Sequence, residues 1–196
     1  MELTYHNGTI RDLIFMQDDS ILLSGGAGDC KLYVTDVKKQ VPIKSYTGHQ
    51  GHIYSIFAWG SSTFASACQD GTTRLWDVRQ SECIHAIAPR SSSEHRKKKV
   101  LFLSCNFIEI IDSAVAAVAV DHSGQLLAAG YEDASCLLYD LRGQRIVQVY
   151  EPHTSDIRSV RFSVDSYYLL TASYDKQVVT TQLEGKTIFS SNSSFE

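Results

Sequence analysis

Apolar residues in this chain fall in short runs, and none keeps a helical spacing. "IYSIFAW" (53–59), "AVAAVAV" (114–120) and "IRSVRF" (157–162) are each followed by a turn cluster, "GSS", "DHSG" or "SVDS". Brief apolar runs cut by Gly, Ser, Asp and Asn mark strands joined by tight turns. No segment sustains a 3.6-residue apolar period, so helix is expected to be scarce. The pattern predicts an all-β protein.

The runs repeat. "SACQDGTTRLWDV" (66–78) has relatives at 25–37, "GGAGDCKLYVTDV", at 128–141, "AAGYEDASCLLYDL", and at 171–183, "TASYDKQVVTTQL". Their first aspartates, Asp29, Asp70, Asp133 and Asp175, are 41, 63 and 42 residues apart. A second anchor, Asp36, Asp77, Asp140 and Gln182, gives the same three intervals. Upstream, His6, His49 and His153 each lead a pattern H-x-x-x-I-x-x-[LVI], and precede their aspartates by 23, 21 and 22 residues. A period of about 42 with four strands per unit is the mark of a propeller blade. The expected blades are 6–46, 49–89, 113–150 and 153–190, with a last strand and polar tail over 184–196.

One interval is about 21 residues too long, and the excess maps to 90–112, "RSSSEHRKKKVLFLSCNFIEIID". Ile111 stands where the third unit's histidine belongs. The segment reads as an extra strand or hairpin, as a product of splicing or gene-model choice, or as a partner-docking element. Its apolar run is too short to cross a bilayer, which takes roughly 20 residues.

Composition narrows the function classes. Hydrophobic residues make up 43% and charged residues 20%, with net charge −4 and a pI near 6.0. That balance offers no general attraction for nucleic acid or an acidic membrane. Five cysteines without a C-x-x-C argue for free thiols rather than a disulfide framework or zinc site. No secretory signal is read at the N-terminus. There is no G-x-S-x-G, G-x-x-x-x-G-K-[ST] or H-E-x-x-H, and "SGGAGD" (24–29) runs into a strand, so no phosphate loop is expected. The chain is expected to be no enzyme, with no cofactor, no metal and no small-molecule substrate.

The stretch 48–78, from Gly48-His49 to Trp76-Asp77, resembles a WD repeat, and the whole chain resembles about four blades of a WD-repeat β-propeller. The resemblance implies a buried chain of His49, Ser66, Asp70 and Trp76 that fixes strand register. Its counterparts are His6 with Asp29, Asp133 with Tyr139, and His153 with Thr171 and Asp175. Thr35 and Thr181 at the tryptophan position cannot play its part, so those blades should be held less firmly. A catalytic reading of His49 and Asp70 stands beside the structural one. WD propellers usually close with seven blades, about 290 residues at this period. The chain is therefore expected to be part of a larger propeller.

Residues 121–175 are similar to the C-terminal propeller of the nemitin family, microtubule-associated proteins with LisH and CTLH segments upstream. That likeness covers about 5–183 without 90–112. It implies a scaffold that binds other microtubule-associated proteins, cytoplasmic and on the microtubule cytoskeleton. Carried over residue by residue, the partner-binding positions are Asn7, Thr9, Gln50, His52, Thr154 and Asp156 before the first strands. Before the turn acids they are Gly28, Gln69, Glu132 and Tyr174. Glu132 and Asp156, with few basic residues around them, suggest a basic or neutral protein partner. The alternative is a substrate receptor of a cullin–RING ubiquitin ligase, since Trp76-Asp77-Val78-Arg79 fits the W-D-x-R box in which Asp77 and Arg79 serve adaptor docking.

Overall fold

The computed structural model describes residues 3–16, 19–87, 99–101, 108–110, 113–184 and 187–192. It is all-β among these residues, a partial WD-repeat β-propeller of four sheets, each with four antiparallel strands in simple meander order. Blade 1 holds β1 (Ile10–Phe15), β2 (Ile21–Gly26), β3 (Leu32–Asp36) and β4 (Val41–Tyr46). Blade 2 holds β5 (Ile53–Trp59), β6 (Thr63–Cys68), β7 (Thr73–Asp77) and β8 (His85–Ile87). After a separate antiparallel pair, β9 (Lys99–Leu101) and β10 (Ile108–Ile110), the third blade holds β11 (Val115–Val120), β12 (Leu126–Tyr131), β13 (Cys136–Asp140) and β14 (Arg145–Tyr150). Blade 4 holds β15 (Ile157–Phe162), β16 (Tyr168–Ser173), β17 (Val178–Glu184) and β18 (Thr187–Asn192). Apart from the β9–β10 pair, the anomalous segment at 90–112, with Ile111, lies outside the described residues, as does the tail from 193.

Each second-to-third-strand turn needs one residue in the left-handed region, always directly after the turn acid. Gly71 takes it at φ 78°, where glycine meets no steric penalty. Cys30, Ala134 and Lys176 take it at 55°, 71° and 68°, against the preference of L-residues.

The core lies between the sheets. Leu23, Leu32, Val34 and Tyr46 of blade 1 pack on Ile53, Ile56, Phe64 and Trp76 of blade 2. Ala65, Ala67 and Ile87 meet Val115, Val118 and Leu127 of blade 3. Ala128, Cys136 and Leu138 meet Ile157, Val160 and Leu169 of blade 4. Small residues set the approach: a Cβ on Gly130 would come within 2.5 Å of the Ile157 side chain.

Among the described residues, the two outer faces lack such a neighbour. Ile56, Val118 and Val160, at one repeat position, are at most 4% exposed, while Leu13 at that position in blade 1 is 58% exposed. On the other side Leu23, Ala65 and Ala128 are buried, yet their counterpart Leu170 is 37% exposed. These apolar surfaces have the character of the interfaces between blades 1, 2, 3 and 4.

Candidate functional site

The strongest local structure is the polar chain of blade 2. Trp76 Nε1–H donates to Ser66 Oγ at 2.8 Å, and Ser66 in turn lies 2.6 Å from His49 Nε2. The other ring nitrogen, Nδ1, sits 3.0 Å from the Asp70 carboxylate. Asp70 also accepts from the Thr72 hydroxyl at 2.6 Å, the Thr72 amide at 3.0 Å and the Gln50 amide at 3.0 Å. Burial pushes the His49 pKa down, which keeps the ring neutral with Nε2 free to accept. Burial works against ionised Asp70, but the bonds to His49, Thr72 and Gln50 outweigh it and hold its pKa well below the usual carboxylate range. Every member is satisfied, the condition under which a buried polar network strengthens a fold.

Ser66, His49 and Asp70 have the connectivity of a nucleophile–base–acid triad. Ser66 is fully buried, however, and its oxygen already accepts from Trp76. The same set recurs in two further blades. His6 bridges Asp29 at 3.1 Å and Ser24 at 2.8 Å, and His153 bridges Asp175 at 2.8 Å and Thr171 at 2.8 Å. Triplication in equivalent turns is what a register lock requires.

Cys68 lies close enough to His49 and Asp70 for the three ligand atoms to fall within 4.8 Å of one another. The donor set does not suit a cation. His49 Nδ1 and the Asp70 carboxylate already face each other, and burial raises the Cys68 thiol pKa, disfavouring the thiolate a metal needs.

Blade 3 departs from the expected network. Its serine position is Ala129, and Asp133 accepts from the amide and hydroxyl of Ser135. Tyr139 does not substitute for a tryptophan. Its hydroxyl lies 2.9 Å from His85 Nε2 of the neighbouring blade, so it joins blades 2 and 3 and makes no bond to a serine of its own sheet. In blade 1, Thr35 is buried with its hydroxyl unpartnered among the described residues.

The partner-binding candidates gather at one end of the blades, next to these turns. Backbone bonds pin the two sets together: Gln69 N–H donates to His52 O at 2.8 Å, Tyr174 N–H to Asp156 O at 3.1 Å, and Glu132 N–H to Ala114 O at 3.0 Å. The Asn7 and Thr154 amides donate to their turn acids, as Gln50 does. Gln50, His52, Gln69, Thr154 and Tyr174 are exposed along with Asn7, Thr9 and Gly28, while Glu132 and Asp156 are half-buried. Arg79 lies elsewhere, at the end of β7. Its guanidinium closes on Asp77 through Nε at 2.9 Å and through Nη2, and this holds the Asp77 pKa down to about 2.

Sequence reasoning missed two things. Ser24 is out of phase because the first repeat's histidine–acid spacing is longer, which puts its serine five rather than four residues before the acid. The candidate positions at Glu132 and Asp156 also read as having few basic residues around them. In fact Arg11 and Arg158 approach the Tyr54 ring, with guanidinium carbons 5.8 and 5.9 Å from its centroid. The missed signal was phase: both arginines directly follow the isoleucine that opens a blade.

Residues 8–193 match the family model described as "Nucleolar protein 10-like, N-terminal domain". Among curated proteins, the chain is 26% identical over 179 residues to a guanine nucleotide-binding protein subunit beta of Oryza sativa subsp. japonica, covering 88% of this chain and 43% of that protein. It is 22% identical over 212 residues to target of rapamycin complex subunit LST8-1 of Arabidopsis thaliana, covering 93% and 70%. With eukaryotic translation initiation factor 3 subunit I of Aspergillus niger it shares 23% identity over 213 residues, covering 89% and 62%. The chain thus spans less than half the length of the first of these.

Proposed function

Since the chain belongs to the nucleolar protein 10-like N-terminal domain family, a family of WD-repeat propellers, we propose that it is a non-enzymatic scaffold that binds other proteins through the loop end of its blades. The observation that carries this reading is the division of labour at the repeated turns. Their histidines, serines and acids are consumed in internal bonds, while the neighbouring side chains, Tyr174 above all, project outward. Tyr174 is 64% exposed and rests on the Arg158 guanidinium 5.2 Å from its ring centre, an aromatic held ready for contact. Relatives whose names describe them as subunits of a guanine nucleotide-binding protein, of a target of rapamycin complex and of translation initiation factor 3 support an assembly role.

Within that role the finer proposal is a microtubule-associated scaffold located on cytoplasmic microtubules, supported by the likeness of residues 121–175 to the nemitin family. The ligase-receptor alternative has less support, because Asp77 occupies the guanidinium of Arg79 that adaptor docking would use. Co-sedimentation with microtubules pre-loaded with microtubule-associated proteins tests the first reading, with the ligase adaptor assayed in parallel. Retention on microtubules that is unchanged by Arg79→Ala supports the scaffold. Adaptor binding that Arg79→Ala abolishes, without microtubule retention, overturns it in favour of the receptor.

A further inference from the structure

The first strand of every blade carries the same irregularity. Pairing with the second strand slips by one residue between Ile10 and Asp12, Ile53 and Ser55, Val115 and Ala117, and Ile157 and Ser159. The extra residues are Arg11, Tyr54, Ala116 and Arg158. A bulge leaves its residue outside the ladder and re-aims the side chain, which is why bulges recur beside functional sites. The first strands of successive blades touch one another, so four bulges in phase deliver four side chains to one inner rim. Three of the four carry chemistry.

These three converge. Tyr54 is half-buried, and both guanidinium groups lie within 6 Å of its ring centre. Burial raises the Tyr54 pKa, and Glu132 adds to this, so the phenol stays protonated and able to donate. Arg158 touches Tyr174 at 5.2 Å and has Glu132 at 3.5 Å, a loose pairing with a half-exposed carboxylate. Arg11 is exposed and has no carboxylate partner among the described residues. Two like charges around one ring repel each other, and cation–π attraction at an exposed site offsets only about 0.5–1 kcal/mol for each. An anion between them relieves that repulsion, and guanidinium forks suit a carboxylate.

We propose that the rim formed by Arg11, Tyr54, Arg158 and Tyr174 is a docking site for an acidic peptide segment of a protein partner, with carboxylates on the two arginines and an adjacent side chain against Tyr174. The proposal rests on the scaffold reading and names the chemistry of the partner that this end of the blades accepts. It reverses the expectation of a basic or neutral partner drawn from Glu132 and Asp156. Glu132 acts as an internal competitor, a tethered carboxylate occupying Arg158 until the peptide arrives. The net charge of −4 does not forbid the site. At 0.1 M salt, charges more than about 10 Å away are largely screened, whereas the two arginines flank one ring.

The test is a titration of the full chain with an octaglutamate peptide, reading the Nε–Hε resonances of its arginines by NMR, with octalysine as control. Saturable shifts of the Arg11 and Arg158 signals are expected, with no such change from octalysine. The double variant Arg11→Gln/Arg158→Gln should weaken octaglutamate binding at least tenfold, and Glu132→Gln should strengthen it severalfold. Arg11→Gln alone changes an exposed side chain and keeps the test decisive should the double variant fail to fold. Unshifted Arg11 and Arg158 signals, equal binding of octalysine, or full affinity in Arg11→Gln overturns the proposal. Failure here while protein partners are still retained leaves the scaffold standing. Octaglutamate bound normally by a chain that retains no partner protein sinks the scaffold and spares the site.

Discussion

Blades 2 and 3 sit side by side and solve one problem with different materials. Blade 2 fixes its register with a four-member polar chain, from Trp76 through Ser66 and His49 to Asp70. Blade 3 has Ala129 at the serine position and a tyrosine in place of the tryptophan, yet every residue of β11 is buried. That strand is Val-Ala-Ala-Val-Ala-Val, flanked by sheets on both faces. A first strand buried at every position, as β11 is and β5 is not, needs no hydrogen-bonded lock to choose its register, because a one-residue slip would disrupt tight packing on two faces at once. Blade 2 has the more polar first strand and uses the lock. Register can be specified by polar geometry or by small-residue packing, and this chain shows both.

The comparison breaks most visibly at the tryptophan. Trp76→Ala empties a fully buried site against Tyr46 and Phe64 and takes the donor from Ser66, so a loss of about 3–5 kcal/mol is expected in denaturant unfolding. Tyr139→Phe in blade 3 removes one bond, to His85, and should cost about 1 kcal/mol. Equal losses would show that the two blades are locked alike.

Next in size is His49→Ala, expected to cost about 3 kcal/mol because it strips a half-buried carboxylate and a buried hydroxyl of their partner together. The same residues make stability depend on pH. His49 is held below its ordinary pKa by burial, so below about pH 6.5 the unfolded chain binds a proton that the folded chain refuses, and stability falls with acidification. Asp70 is depressed as well. Its contribution is complete above the unfolded carboxylate pKa of about 4 and is lost as pH drops toward the folded value. Each proton can change stability by at most about 1.4 kcal/mol per pH unit. Unfolding measured from pH 8 to pH 3 should therefore decline from near 6.5, and the decline should be shallower in His49→Ala.

The smallest effect is a gain. Lys176 occupies the left-handed turn position that glycine fills in blade 2, so Lys176→Gly should stabilise by about 1 kcal/mol, read as a higher Tm. The matching change Gly71→Ala should lose a comparable amount.

Most of the fold could be read in the chain because its landmarks are local and periodic. Turn acids in four related segments and short apolar runs between turn clusters point to the all-β architecture of four-stranded sheets that the structure has. The candidate site was only half legible. The loop positions such as Gln50, Gln69 and Tyr174 follow from repeat phase, but Arg11 and Arg158 come together only through a bulge. A bulge changes which way a side chain points without changing the spacing that a sequence displays. Ser24 was hidden by one extra residue in a turn, and the link from Tyr139 to His85 by the long segment between their blades.

The phased histidines either hold individual sheets in register or do not, and residue-resolved hydrogen exchange of the wild-type chain against His49→Ala asks this directly. Protection should fall in β5, β6 and β7 by far more than in β11, β12 and β13, whose lock is packing. An even loss across all four sheets, or unchanged protection in β5–β7, would contradict it.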